Sequence, residues 1–278
     1  MICLCRDDPR YPAVLCDLEP GPDRLWVDGS ADALHGPAVA IVGTRRMTPY
    51  GQRVAGELAA ALAGAGATVV SGLAPGIDCT AHASALDAGG SSIAVLGEGI
   101  TSFLANSGGR RRRLAMAIRE RGALLSTYPP LMPAQGWMFA KRNAVIAALA
   151  GAVIVVEAPA GSGALITAAD AARLRRPVFA VPGPLGARSS EGTNALIGAG
   201  LARACLGPDA VGAAIGVTAR DQAPRNDAVL EALAAGPLDL DEIVSRTGVE
   251  RVALRSRLIM LLLEGTVIDR GDGRYARG

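Results

Sequence analysis

From Ala38 onward the chain alternates short, predominantly apolar runs with longer stretches of helical period. The runs Ala38–Val42, Thr68–Ser71, Ser92–Leu96, Ala123–Ser126, 152–157 and 178–181 are aliphatic at nearly every position, as strands buried on both faces of a parallel sheet are. Between them, Ala- and Leu-rich amphipathic spacing predicts helices over 50–65, 78–88, 111–121, 142–150 and 164–174, with a last one near 193–200. Gly66 stops the first of these. Strand–helix alternation of this kind predicts an α/β fold, a Rossmann-like doubly wound parallel sheet, over residues 38–206. Its ligands belong at the carboxyl ends of the strands. Residues 1–37, rich in Pro, Asp and Gly, read as an irregular lead-in with one short strand at 25–27.

The pattern changes again near the C-terminus. Residues 207–224 read as a Gly/Pro/Ala-rich linker. Helical spacing then covers 227–235, 240–246 and 250–264, punctuated by Gly236-Pro237, Gly248 and Gly265. Asp239 followed three positions later by Glu242 has the spacing of a capping box. A hairpin follows around Gly271-Asp272-Gly273. Three helices and a hairpin predict a small winged-helix domain over 225–278.

Composition narrows the function. Half of the 278 residues are hydrophobic and 3% are aromatic, so the core is aliphatic. A formal net charge of +2 excludes a polycation that coats nucleic acid by charge alone. The basic residues are 27 arginines and one lysine, Lys141. Their distribution is uneven. Residues 110–145 carry eight cations, among them Arg110, Arg111, Arg112 and Arg113, against one acid, Glu120, a local balance of +7. Residues 225–278 balance at −1, so the winged helix reads equally as a DNA reader through Arg251, Arg255 and Arg257 or as a protein-contact module. Five scattered cysteines and two histidines offer no metal-ligand spacing, and neither a metal nor another cofactor is expected. No apolar run reaches the ~20 residues of a membrane span, and Arg6 interrupts any signal core. The expectation is a cytoplasmic protein without a membrane partner.

Four loops carry candidate chemistry. The first strand ends in Gly43-Thr44-Arg45-Arg46-Met47-Thr48, with arginines where a dinucleotide loop needs its second glycine. Side-chain cations beside a helix amino terminus suit a phosphate, although a solvated surface loop would read the same way. The second strand ends in a tight loop from Gly72 to Gly76, with Asp78 at the helix start, either a plain turn or a second anion-binding wall. Residues 136–143 read Gly-Trp-Met-Phe-Ala-Lys-Arg-Asn. An aromatic face beside Lys141 and Arg142 is what a single-strand groove needs, and equally what core anchors beside a solvated pair would give. The loop Gly161-Ser162-Gly163 again joins a strand end to a helix start, where free amides could cradle a phosphate.

In this order the loops resemble the DNA-processing protein A (DprA/Smf) family. The resemblance runs from about Tyr11 to the end through Ala40-Ile-Val-Gly-Thr-Arg45, Val70-Ser-Gly-Leu-Ala74, Gly76-Ile-Asp78, Ile93-Ala-Val-Leu-Gly97, Gly122-Ala-Leu-Leu-Ser126 and Tyr128-Pro-Pro130. It continues through Arg142-Asn143, Val155-Val-Glu-Ala158, Ser162-Gly-Ala-Leu-Ile-Thr167, Val178-Phe-Ala-Val-Pro-Gly183 and Asn194-Ala-Leu-Ile197. It implies a homodimeric single-stranded DNA binder that protects incoming DNA in natural transformation and loads the RecA recombinase, without turnover of substrate. Carried onto matching positions, Gly43, Thr44, Arg45 and Thr48 contact phosphate, as do Gly72 and Gly76. Phe139, Lys141, Arg142 and Asn143 line the groove, with Phe139 stacking on a base. Pro75 and Ala144 stand where relatives often carry arginine, so Arg110–Arg113 are expected to compensate.

A rival reading is an enzyme, a nucleotide phosphoribohydrolase of the lysine-decarboxylase-like type. That pattern, Pro-Gly-Gly-x-Gly-Thr-x-x-Glu, aligned at Pro159, meets Ala160, Ala164 and Thr167 at the second residue, the Thr and the catalytic Glu. Hydrolysis there lacks its acid/base carboxylate.

Overall fold

The computed structural model describes residues 1–218, 228–263 and 265–278. The chain divides into two compact units, Met1–Arg220 and Asp221–Gly278. The parts of the expected linker and winged helix at 219–227, and Glu264, lie outside the described residues.

The first unit is built on a nine-stranded sheet. In chain order its strands are β1 (Ile2–Cys5), β2 (Arg24–Gly29), β3 (Ala38–Val42), β4 (Thr68–Ser71), β5 (Ser92–Leu96), β6 (Ala123–Ser126), β7 (Ala152–Val155), β8 (Val178–Ala180) and β9 (Arg203–Ala204). Their spatial order is β1-β2-β6-β5-β4-β3-β7-β8-β9, parallel from β6 to β9. The helices are α1 (Pro49–Gly64), α2 (Ile77–Asp87), α3 (Ile100–Asn106), α4 (Gly109–Arg121), α5 (Gly136–Leu149), α6 (Gly163–Arg173), α7 (Glu191–Gly198) and α8 (Asp209–Ala214).

The all-apolar strands are explained by two covered faces. Along β3, Val39 and Ile41 join the core cluster that includes α1 and α2, while Ala38, Ala40 and Val42 join the one that includes α5 and α6. Successive side chains of a strand point to opposite faces, so both faces must be apolar when both are covered. The fully buried residues of largest volume are aliphatic apart from Phe179.

Two departures bear on the sequence reading. Residues 1–37 are not irregular. β1 and β2 form an antiparallel pair that extends the sheet beyond β6, with Leu4, Leu25 and Val27 fully buried. The strand read at 25–27 is the middle of β2, whereas β1 has too few alternating positions to stand out as a pattern. The helix expected to begin at Arg142 begins at Gly136, because tertiary packing of Met138 overrides an opening glycine and a run of mixed polarity. The segment read as linker also carries α8.

The second unit is a winged helix: α9 (Ala228–Leu233), α10 (Leu240–Thr247) and α11 (Arg251–Leu263) with a three-stranded sheet ordered β10 (Leu238–Asp239), β12 (Arg274–Arg277), β11 (Val267–Asp269). Its capping box is formed: Asp239 accepts from Glu242 N at 2.8 Å and Glu242 accepts from Asp239 N at 2.9 Å. Asp239→Ala therefore lowers the stability of this unit by about 1 kcal/mol, and Asp239→Ser recovers most of it. Urea unfolding followed by amide exchange of α10 reads the effect; an unchanged α10 would show the cap to be idle. Of the three cations expected to face DNA, Arg251 is paired with Asp241, while Arg255 and Arg257 are exposed.

Candidate nucleic-acid interface

Strands β4, β5 and β6 step away from β3 to one side, and β7, β8 and β9 to the other. The order reverses between β3 and β7, and α/β sheets open a crevice at the carboxyl ends of such a pair. A cleft of about 490 Å3 lies there, walled by the Gly43–Arg46 loop after β3, the Ser162–Thr167 segment after β7, and one face of α5.

Two of the expected anion sites are already filled by the protein's own carboxylates. Glu157, 3% exposed, sits at the amino terminus of α1. Its carboxylate accepts from Thr48 N at 2.9 Å and from the Thr48 hydroxyl at 2.6 Å. The same hydroxyl caps the helix by accepting from Gly51 N at 3.1 Å. The expectation that Thr48 and the α1 terminus take a phosphate is thus corrected: a buried internal anion satisfies that positive end. Glu157 was the residue whose part composition and spacing did not reveal. Its only signal is a carboxylate ending an otherwise apolar strand run.

The Gly72–Gly76 loop is corrected likewise. The carboxylate of Asp78 accepts from Gly72 N at 3.1 Å and Ala74 N at 3.4 Å, so these amides are not open to a ligand. Burial pushes the Asp78 carboxyl up, against the pull of Arg142 and the two amides. Gly76 has φ +88° and its missing Cβ would lie 2.4 Å from Thr44 O. It permits the two loops to touch.

Arg142 is corrected most. It was expected in the groove as a phosphate ligand. It is 6% exposed, and its guanidinium donates to Gly72 O at 2.6 Å and Val95 O at 2.5 Å. Burial lowers its pKa to about 10, partly offset by Asp78. It ties α5 to the ends of β4 and β5. A Cβ on Gly72 would lie 2.0 Å from the guanidinium, which is why that position is glycine.

What faces the cleft is smaller and sharper. Arg45 and Arg46 are exposed and make no ion pair among the described residues. The Arg45 guanidinium lies 5.9 Å from the centroid of the Phe139 ring, a cation–π distance, and Phe139 is half-buried with its ring edge against Gly97. Asn143 donates to Gly163 O at 3.2 Å and steadies the opposite loop. Ser162 caps α6 by accepting from Ala164 N, while the amides of Gly161 and Gly163 carry no hydrogen bond among the described residues. Two of the loop's N–H groups are thus uncommitted, whereas Ser162 N donates to Pro159 O at 3.1 Å. Gly43 and Thr44 shape the floor, with Thr44 N donating to Glu157 O at 2.7 Å.

Lys141 and the arginine run lie elsewhere. Because 136–143 is helix, residues three and four apart share a face and adjacent ones do not. Gly136, Phe139, Ala140 and Asn143 face this cleft, whereas Trp137, Lys141 and Ala144 line a different one. Of the four arginines expected to compensate, Arg111 donates to Leu73 O at 3.2 Å and covers Phe103 at 5.0 Å. Arg110, Arg112 and Arg113 are exposed and do not line the cleft.

Among the described residues no helix is long and apolar enough to cross a membrane. The family model described as DNA recombination-mediator protein A matches residues 2–216, and that of the DprA winged helix domain matches 216–273. The structure of DNA processing protein A from Streptococcus pneumoniae aligns with a TM-score of 0.71 at 35% identity, over 76% of this chain and 73% of that one. DNA processing protein A from Helicobacter pylori, whose structure is described for its single-stranded DNA binding mode, aligns at 0.66 and 30% identity, over 72% and 90%. Protein Smf of Escherichia coli (strain K12) is 42% identical over 192 residues, 69% of this chain and 50% of that protein. The chain spans about half the length of the first curated relatives it matches.

Proposed function

The chain belongs to the DNA recombination-mediator protein A family, and on that premise we propose that its switch-point cleft holds single-stranded DNA. The observation that carries this is the unpaired Arg45 guanidinium poised over Phe139 at the mouth of a cleft whose far wall includes Gly163 with its free amide, two residues after the free amide of Gly161. A cation and a ring face side by side suit a phosphate followed by an unstacked base, and free amides suit the next phosphate. Base edges meet no dedicated reader, so sequence preference is weak. Membership supports extending the proposal to a recombination mediator in natural transformation, which protects incoming DNA, hands it to the RecA recombinase and acts as a homodimer in the cytoplasm. The same reading makes the protein a binder that needs no cofactor and turns over no substrate. The 38–206, 207–224 and 225–278 division is proposed as the working domain scheme.

Arg45→Ala is expected to weaken oligothymidylate binding about tenfold or more at all sequences and to reduce the salt slope by about one phosphate; Phe139→Ala loses a comparable factor without changing that slope. Fluorescence anisotropy over a salt series measures both. Equal affinity for single strands and for duplex of the same length would overturn the proposal. The RecA step is tested by strand exchange on single strands already covered by a single-strand binding protein, with and without the full chain.

A further inference from the structure

The other face of α5 borders a second cleft, of about 660 Å3, between that helix, the segment after β6 and the turn before β2. Both tryptophans of the chain, Trp26 and Trp137, line it, with Tyr128 and Lys141. Trp137 is 49% exposed and presents its ring to this cleft. It is nevertheless held in place. Its edge packs on Tyr128 with centroids 5.9 Å apart and planes at 83°, and its Nε1 donates to Gln135 at 2.7 Å. Lys141 sits 5.0 Å above the ring and makes no ion pair among the described residues.

We infer that Trp137 and Lys141 form a second subsite, which stacks one further nucleobase of the same single strand. This rests on the single-strand reading of the first cleft. The ligand class follows from the lining. Arg24 and Lys141 are balanced by Glu19 and Asp23, and Asp23 is itself paired with Arg6 at 3.3 Å. A balanced, aromatic slot suits a neutral flat heterocycle better than a phosphate, and Lys141, beside the Trp137 ring, is the cation placed to meet the phosphate next to it. The continuity follows from the helix. Phe139 and Trp137 lie on opposite sides of the first turns of one α5, and a helix with its side chains is about 10–12 Å across. A strand stacked on Phe139 reaches Trp137 by crossing the end of that helix. Lys141 binds the strand here, on the far side from Arg45.

The experiment titrates the full chain with an end-labelled oligothymidylate and reads label anisotropy and tryptophan emission together. Trp26→Phe leaves Trp137 as the sole tryptophan reporter. Quenching that follows the anisotropy curve is expected. Trp137→Ala is expected to weaken binding about tenfold, Trp137→Phe to restore most of it, and Lys141→Ala to lower the salt slope by about one. Anisotropy binding with unchanged tryptophan emission, and with Trp137→Ala as tight as the parent, overturns the second subsite while the single-strand reading stands. No anisotropy change with any single strand overturns both.

Discussion

Arg142→Ala is expected to cost about 3–5 kcal/mol of stability, the penalty for removing one side of a buried charged cluster. Three groups are stranded by the change. Gly72 O and Val95 O lose their donor, and the buried Asp78 carboxylate loses the cation that offsets its desolvation. Arg142→Lys recovers only part, because an ammonium on a flexible stem does not replace a planar group held between two carbonyls. DNA affinity falls too, through the cleft wall: the β4 loop and α5 are no longer tied together. Urea unfolding separates the two accounts. Parent-like stability in Arg142→Ala, with a salt slope reduced by about one, would mean that the guanidinium contacts phosphate and that its structural assignment is wrong.

The second large effect is acid instability from His82. Its ring is fully buried, with Nδ1 2.7 Å from the Ser92 hydroxyl. That hydroxyl donates to Val69 O at 2.7 Å, so it accepts from Nδ1–H, which fixes the proton on Nδ1. Nε2 has no hydrogen-bond partner among the described residues. Burial first, and then the Arg142 charge, pushes the imidazole down to about 3. The unfolded chain binds a proton near pH 6.5 and the fold does not, so stability rises with pH across this window and is lost as pH falls from about 6.5 toward 3. The full contribution is on the order of 4 kcal/mol. Asp78, pushed up by burial, acts with the opposite sign, so the parent alone is not diagnostic. His82→Gln, which can still donate to Ser92, is expected to show a pH dependence shallower by nearly one proton between pH 6 and 4. Parallel curves for the two proteins would show that His82 is not held neutral.

Much of the architecture was legible before any coordinates. β3, β4, β5 and β6 lie where short, largely aliphatic runs put them, since a strand covered on both faces is mostly apolar and its few polar groups, such as Ser71 and Ser92, are hydrogen-bonded inside. The capping box at Asp239 and Glu242 was readable because its partners are three residues apart and depend on nothing distant. The site was less legible. Arg45 and Phe139 line the cleft, whereas Arg142 is spent on carbonyls inside the fold and the arginine run lies away from it, because adjacency in sequence is not adjacency in space.

The sequence by itself determined the strand–helix alternation, the all-aliphatic core, the winged-helix unit and the loops that lie at the carboxyl ends of the strands. Those follow from local period and from capping, which act over a few residues. Only the tertiary structure decided which polar groups remain for a ligand. Glu157 reaches Thr48 across 109 positions and Arg142 reaches Gly72 across 70. A buried carboxylate can occupy a helix terminus as well as a phosphate can, and a buried guanidinium must spend itself on whatever carbonyls surround it. Such long-range satisfaction leaves no periodic trace. It closed two of the expected anion sites, left Arg45 and the amides of Gly161 and Gly163 open, and turned Lys141 to the opposite side of α5.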